Sequence, residues 1–146
     1  MKIRTATTKD KVQVMQLFDE FSAFFGTEDV PSEVGETIFD QVVRRDDIKL
    51  FVAEEDGQLL GLATLYLLPN IRHGYMRGHI EDFFVTQNTR SNGVGTKIFD
   101  GVKEYCRAHH IKVIKLDSGN ELADAHFFYE KNGGKTTERF FRFDLN

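Results

Sequence analysis

Tryptophan is absent from this chain, and cysteine occurs once in 146 residues. The lone Cys106 cannot close an internal disulfide, so no oxidised staple is expected and a cytoplasmic location is the default. No apolar run reaches the ~18 residues needed to span a bilayer. The start, Met1-Lys-Ile-Arg-Thr-Ala, lacks a signal-peptide core, so no membrane partner is expected. Basic residues are in deficit: 19 Lys and Arg against 23 Asp and Glu leave a net charge of −4. That balance argues against nucleic acid as the main partner, because phosphate binding demands a basic surface. The five histidines show no His-x-x-x-His spacing and there is no Cys-x-x-Cys. His109-His110 ends a helical pattern, where a cation suits the dipole, so no metal is expected.

What is present is ordinary in bulk and pointed in detail. Hydrophobic residues at 40% and charged residues at 29% suit a globular protein, and the length suits one domain over residues 1–146. Lys2–Ala6 reads as a short strand, and Thr7-Thr-Lys-Asp10 can cap the helix that follows. That helix repeats Val14, Leu17, Phe18, Phe21, Phe24 and Phe25 at helical spacing, a stripe expected to be core. Gly26–Pro31 breaks it, and Ser32 caps a second helix running to about Arg45. Ile48–Ala53 and Gln58–Leu67 are strands joined around Asp56-Gly57, a strong hairpin signal. Pro69–Gly78 reads as a loop and His79–Thr86 as a strand. A helix follows from about Gly93 to His109, with Val94, Ile98, Val102, Tyr105 and Cys106 on one face, which makes Cys106 a packing residue rather than a nucleophile. Ile111–Leu116 is a strand, Ala123–Lys131 a helix stopped by Asn132-Gly-Gly134, and Arg139–Leu145 a closing strand. The order β-α-α-β-β-β-α-β-α-β implies a mixed sheet with helices on its faces.

The densest information lies in His79–Thr96. An apolar strand with Glu81 and Asp82 embedded in it leads to Arg90-Ser-Asn-Gly93-Val-Gly95 and a helix start. Strand, glycine-rich turn and helix N-terminus converge unpaired N–H groups on one point and make a natural anion site. Gly93 and Gly95 let the backbone approach a bulky phosphate. A Walker A spacing is missing, and Gly93-Val-Gly95 is followed by Thr96-Lys-Ile98 without the third glycine of a dinucleotide fingerprint.

Arg-x-x-Gly-x-Gly after a strand ending in Val85 resembles the acetyl-coenzyme A loop of the GNAT N-acyltransferase superfamily. Ala125-His-Phe-Phe-Tyr129-Glu-Lys-Asn-Gly133 resembles the same superfamily's Ala-x-x-Phe-Tyr-Glu-Lys-x-Gly signature, in the expected order. Gly134 departs from the aromatic that the family usually places there. With Ile3-Arg-Thr-Ala and Phe141-Arg-Phe-Asp-Leu145, the resemblance covers essentially the whole chain. It implies an α/β (α+β) fold: a single GNAT-like domain with a mixed, mostly antiparallel sheet and helices on both faces. It further implies an acetyl-CoA cosubstrate and a small-molecule amine as partner; a homodimer is expected.

On this resemblance the cosubstrate lies along Phe83, Phe84 and Val85, whose backbone pairs with the pantetheine arm like an added strand and polarises the thioester carbonyl. Arg90, Ser91, Asn92, Gly93, Val94, Gly95 and Thr96 grip the pyrophosphate, with Arg90 adding charge. Asn120 resembles the family's coenzyme-contacting asparagine, and His126 lines the channel. Tyr129 is the expected general acid for the departing thiolate, since a phenol has a proton to give. Glu81 and Asp82, on strict strand alternation, face opposite sides. Ile80-Glu-Asp-Phe-Phe-Val85 resembles the corresponding strand of diamine (spermidine/spermine-type) acetyltransferases, which places Glu81 on the active face as general base, directly or through water. Asp82 is then structural.

Two acceptors stay open. Glu28, Asp29 and Glu33 suit a polyamine or diamine. The stretch Asp124–Tyr129, with Phe140-Phe-Arg-Phe-Asp144, is also similar to aminoalkylphosphonate acetyltransferases, for which Arg72, His73 and Arg77 could supply cations. Protein or amino-acid N-acetylation is a further option. From another class, a non-catalytic acyl-CoA-binding sensor would share the grip but would not need Glu81 and Tyr129.

Overall fold

A computed structural model describes residues 1–27 and 32–145, and these fall into two compact units, Met1–Lys115 and Leu116–Asn146. The first unit opens with β1 (Lys2–Thr5), α1 (Lys11–Phe25), α2 (Ser32–Val42), β2 (Ile48–Glu55), β3 (Gln58–Asn70) and β4 (Tyr75–Val85). It continues through α3 (Val94–Ala108) into β5 (Ile114–Leu116), and α4 (Ala123–Lys131) belongs to the second unit. The strands form one sheet in the order β1-β2-β3-β4-β5, with β1 to β4 paired antiparallel.

Local chemistry explains most of these boundaries. A capping box stands at the entry to α1, through a short 3-10 turn: the Thr7 N–H donates to Asp10 Oδ2 at 2.7 Å and the Thr7 hydroxyl caps in return. Asp10, nearly buried, also takes a bidentate grip from Arg4 at 2.8 and 2.7 Å, which pulls its carboxyl down to about 2. Asp56 and Gly57 both hold positive φ, 50° and 78°, and so form the tight turn that joins β2 to β3.

The faces of the sheet are covered by different helices. Val14 and Leu17 of α1 and Phe39 of α2 pack with Leu50, Val52, Leu59, Leu62 and Phe84 in one cluster. On the other face α3 buries Val94, Ile98, Phe99, Val102 and Cys106. There Phe99 meets Phe83 edge-on at 6.1 Å, and Tyr105 meets Phe51 at 5.5 Å. This alternation of Phe83 and Phe84 between two cores fixes the register of β4.

Four expectations need correction. Pro69–Gly78 is not a loop: Leu67 to Asn70 pair with Gly78 to Tyr75, so β3 and β4 run on as a long hairpin turned at Ile71–Gly74. Pro69 is tolerated because β2 stops opposite Tyr66, leaving β3 with β4 alone beside it at that point. Ile111–Val113 is outside β5, although Val113 accepts a bond from Gly78 N–H at 2.9 Å. Arg139–Leu145 forms no strand; its alternating Phe-Arg-Phe pattern supplies side chains but no backbone ladder, and Phe140, Phe141 and Phe143 stand exposed. The aromatic stripe of α1 also ends early, since Phe24 and Phe25 are 44% and 41% exposed rather than core.

Candidate active site

The two carboxylates of β4 sit at a break in its register. Leu65 faces Ile80 and Ala63 faces Phe83, so two residues, Glu81 and Asp82, stand opposite the single Thr64. This is a β-bulge, and it cancels the strict alternation expected of the strand. Thr64 shares the α1/α2 face with its pairing neighbour Leu50 and with Leu62 two residues earlier. The Thr64 hydroxyl bonds Asp82, which puts that carboxylate on the same face. Glu81 Oε2 lies 3.3 Å from His79 Nε2, and His79 pairs across the ladder with Tyr66. Both acids therefore gather around Thr64, Tyr66 and His79.

Their environments differ. Glu81 is well exposed, whereas burial raises the Asp82 carboxyl above the usual range against the pull of the Thr64 bond. The Tyr66 phenol is raised too, first by burial and then by the charges of Asp82 and Glu81.

Beyond Val85 the chain makes a 3-10 turn, Gln87–Thr89, and reaches α3 through Ser91 and Gly93 at φ 69° and 78°. The first bond to close α3 runs from Lys97 N–H to the Gly93 carbonyl at 3.1 Å. The N–H groups of Val94, Gly95 and Thr96 precede it and have no carbonyl within the helix. A Cβ built on Gly93 would meet nothing within 4 Å, so the space before the helix start is open. These features fit an anionic pyrophosphate. The Val94 side chain is buried, so only its backbone is available to a ligand there.

Arg90 is more constrained than expected. Its Nε donates to the Val85 carbonyl at 3.1 Å, and its guanidinium lies 4.4 Å over the Phe24 ring and 5.5 Å from Phe84. No carboxylate among the described residues pairs with it. Sequence reasoning missed the residue that holds the chain just before this turn. Glu20 of α1 accepts the Thr86 hydroxyl at 2.7 and 2.9 Å and the Gln87 N–H at 2.8 Å. A partner 66 residues away leaves no local signal.

In the second unit Asn120 lies exposed in the turn before α4, and His126 is half-buried, its N–H bonded to the Leu122 carbonyl at 3.0 Å. Burial raises the half-buried Tyr129 phenol, whose ring meets Phe128 edge-on at 5.5 Å. The unusual Gly134 has a local reason: a Cβ there would stand 2.9 Å from the Tyr129 carbonyl, which instead accepts the Gly134 N–H. The buried Ser118 hydroxyl finds no partner among the described residues, and nothing in its sequence context would have flagged it. Glu81 and the glycine turn thus share the first unit, and Asn120, His126 and Tyr129 share the second.

Of the acceptor candidates, Glu28 and Asp29 lie outside the described residues, while Glu33 is exposed in the first turn of α2. Arg72 and His73 occupy the tip of the β3–β4 hairpin, where His73 stacks on Tyr75 at 5.6 Å, and Arg77 is in β4 itself. No metal-binding group of three or more His, Cys, Asp or Glu occurs among the described residues.

Comparison with known proteins agrees with this geometry. An uncharacterized N-acetyltransferase, YhfO, of Bacillus subtilis is 25% identical over all of this chain and 97% of its own length. An aminoalkylphosphonate N-acetyltransferase of Salmonella typhimurium is 25% identical over 63% of this chain and 58% of its own. The crystal structure of a probable acetyltransferase superposes with a TM-score of 0.88 at 21% identity, covering 100% of this chain and 97% of that one. The description of the acetyltransferase (GNAT) family matches residues 14–134, a stretch that takes in the bulged strand, the glycine turn and the Tyr129 helix; the chain belongs to that family.

Proposed function

We propose that this chain, acting as one GNAT-type domain over residues 1–146, moves an acetyl group from acetyl-coenzyme A to the primary amine of a small molecule. The observation that carries the reading is the turn from Arg90 to Thr96. Its positive-φ Gly93, open foreground and three helix-start N–H groups suit a pyrophosphate. Ser91 and Asn92 add polar groups to the same turn, and the Arg90 guanidinium can share its remaining N–H groups with a phosphate oxygen. Phe83, Phe84 and Val85 offer the strand backbone for the pantetheine arm, with Asn120 and His126 as further contacts.

The cosubstrate supplies an acetyl thioester; the protein supplies the proton traffic. The amine must lose a proton before its nitrogen bonds the acetyl carbon, and the thiolate that departs must gain one. Glu81 takes the first proton, directly or through water, and Tyr129 gives the second. Burial favours the protonated Tyr129 phenol at neutral pH, the form a general acid needs.

For the acceptor, a polyamine or diamine ranks ahead of an aminoalkylphosphonate. Two clustered carboxylates and Glu33 favour a cation, and the net charge of −4 aids its approach. The Salmonella relative and the cations Arg72, His73 and Arg77 support the phosphonate instead. A homodimer is the expected assembly, which sedimentation tests, and the single cysteine supports a cytoplasmic location. Release of free thiol across an amine panel tests the activity. Spermidine, a lysine analogue and aminoethylphosphonate at two salt concentrations separate the acceptors, because a cation held by carboxylates loses rate as salt rises.

A further inference from the structure

The end of α1 is tied to both ends of the segment Thr86–Arg90 that leads into the glycine turn. Glu20 holds its entrance, accepting Thr86 Oγ1 and the Gln87 N–H. One turn of helix later Phe24 lies under the Arg90 guanidinium, while Phe21 between them stacks on Phe84 at 4.9 Å. Residues four apart share one face of a helix, so a single rigid face addresses both ends. Phe24 is 44% exposed and Glu20 is only half-buried, so neither is explained as core filling. A carboxylate beside a turn meant for an anion is electrostatically adverse. Its bonds to Thr86 and Gln87 offset that cost.

We infer that Glu20 is a positioning residue for the cosubstrate: it fixes the path of Thr86–Gln87 so that the turn presents its N–H groups in a set direction. The inference rests on the acetyl-CoA reading above and adds a residue to it. Oε1 alone takes both the Gln87 N–H, at 2.8 Å, and the Thr86 hydroxyl, at 2.9 Å. A glutamine can therefore keep both bonds without the charge, which separates holding from electrostatics.

Glu20→Ala should weaken equilibrium binding of acetyl-CoA about tenfold, losing hydrogen bonds to a charged group, and raise its KM with little change in kcat. Glu20→Gln should restore affinity to the wild-type level or above. Thr86→Val should weaken binding less, and the Glu20→Ala/Thr86→Val pair should be non-additive. In the ligand-free protein, amide hydrogen exchange over residues 86–95 should speed up in Glu20→Ala and return to normal in Glu20→Gln. Exchange in that segment unchanged by Glu20→Ala overturns the inference. So does affinity that rises equally in the Ala and Gln variants, since Glu20 would then act only as a charge. Should wild-type protein not bind acetyl-CoA while exchange responds as described, Glu20 still positions the turn and the acetyl-CoA reading falls.

Discussion

Asp82 and Tyr129 are both groups that burial keeps protonated longer than in water, and the consequences have opposite value. For Tyr129 it keeps the phenol in the protonated form that the proposed general acid needs, and Tyr129→Phe, which keeps the ring, should lower kcat about 10²–10⁴-fold with cosubstrate affinity intact. Steady-state kinetics with a separate binding titration checks this. For Asp82 it costs stability. A carboxyl whose folded pKa is raised stabilises the protein below the unfolded value, about pH 4, and loses that contribution as pH rises through the folded value. Asp82→Asn, able still to accept the Thr64 hydroxyl, should therefore raise Tm at pH 8 and gain much less at pH 4. Thermal unfolding at the two pH values decides it. Glu81→Gln, next door but exposed, should leave Tm nearly unchanged and depress turnover most at low pH, where the amine is mainly ammonium.

Among the elements, α1 depends on its entry. Asp10 is drawn down to about 2 by Arg4, so its contribution is complete above about pH 4 and disappears as pH falls toward 2. Asp10→Asn should destabilise the protein by roughly 1–3 kcal/mol at neutral pH, a figure reduced because Arg4 is partly exposed. Denaturant unfolding at pH 7 and pH 2.5 should show the gap closing. At α3, Gly93→Val sets a branched side chain where φ is 78° and the foreground is open, and acetyl-CoA affinity should fall at least tenfold in a folded protein. Elements with strong local signals were legible: the Asp56-Gly57 hairpin, the Thr7 cap and the α4 boundaries. The bulge at Glu81–Asp82 was not, because a bulge is a relation between two strands and neither sequence shows it. The same applies to Glu20, whose role exists only once α1 lies beside Thr86.

At the scale of the molecule, the two motif segments made the family readable, since both carry their chemistry in consecutive residues. The acceptor was not readable, because its candidate residues, Glu33, Arg72, His73 and Arg77, are scattered along the chain and form no motif of consecutive residues. The closing Arg139–Leu145 was misread as a strand for a related reason: alternation describes a face, and a face needs a neighbour. Cys106 offers a practical consequence of the α3 packing. It is 2% exposed, and burial pushes its thiol up to about 11, so the native protein presents almost no thiolate to an aromatic disulfide reagent at pH 8. Such a reagent can count coenzyme A released during turnover without a background from the enzyme itself. The same silence makes Cys106 an internal clock for opening of the sheet's α3 side. One equivalent of thiol should appear on denaturation, and in native buffer the rate of its appearance should follow how often α3 lifts away.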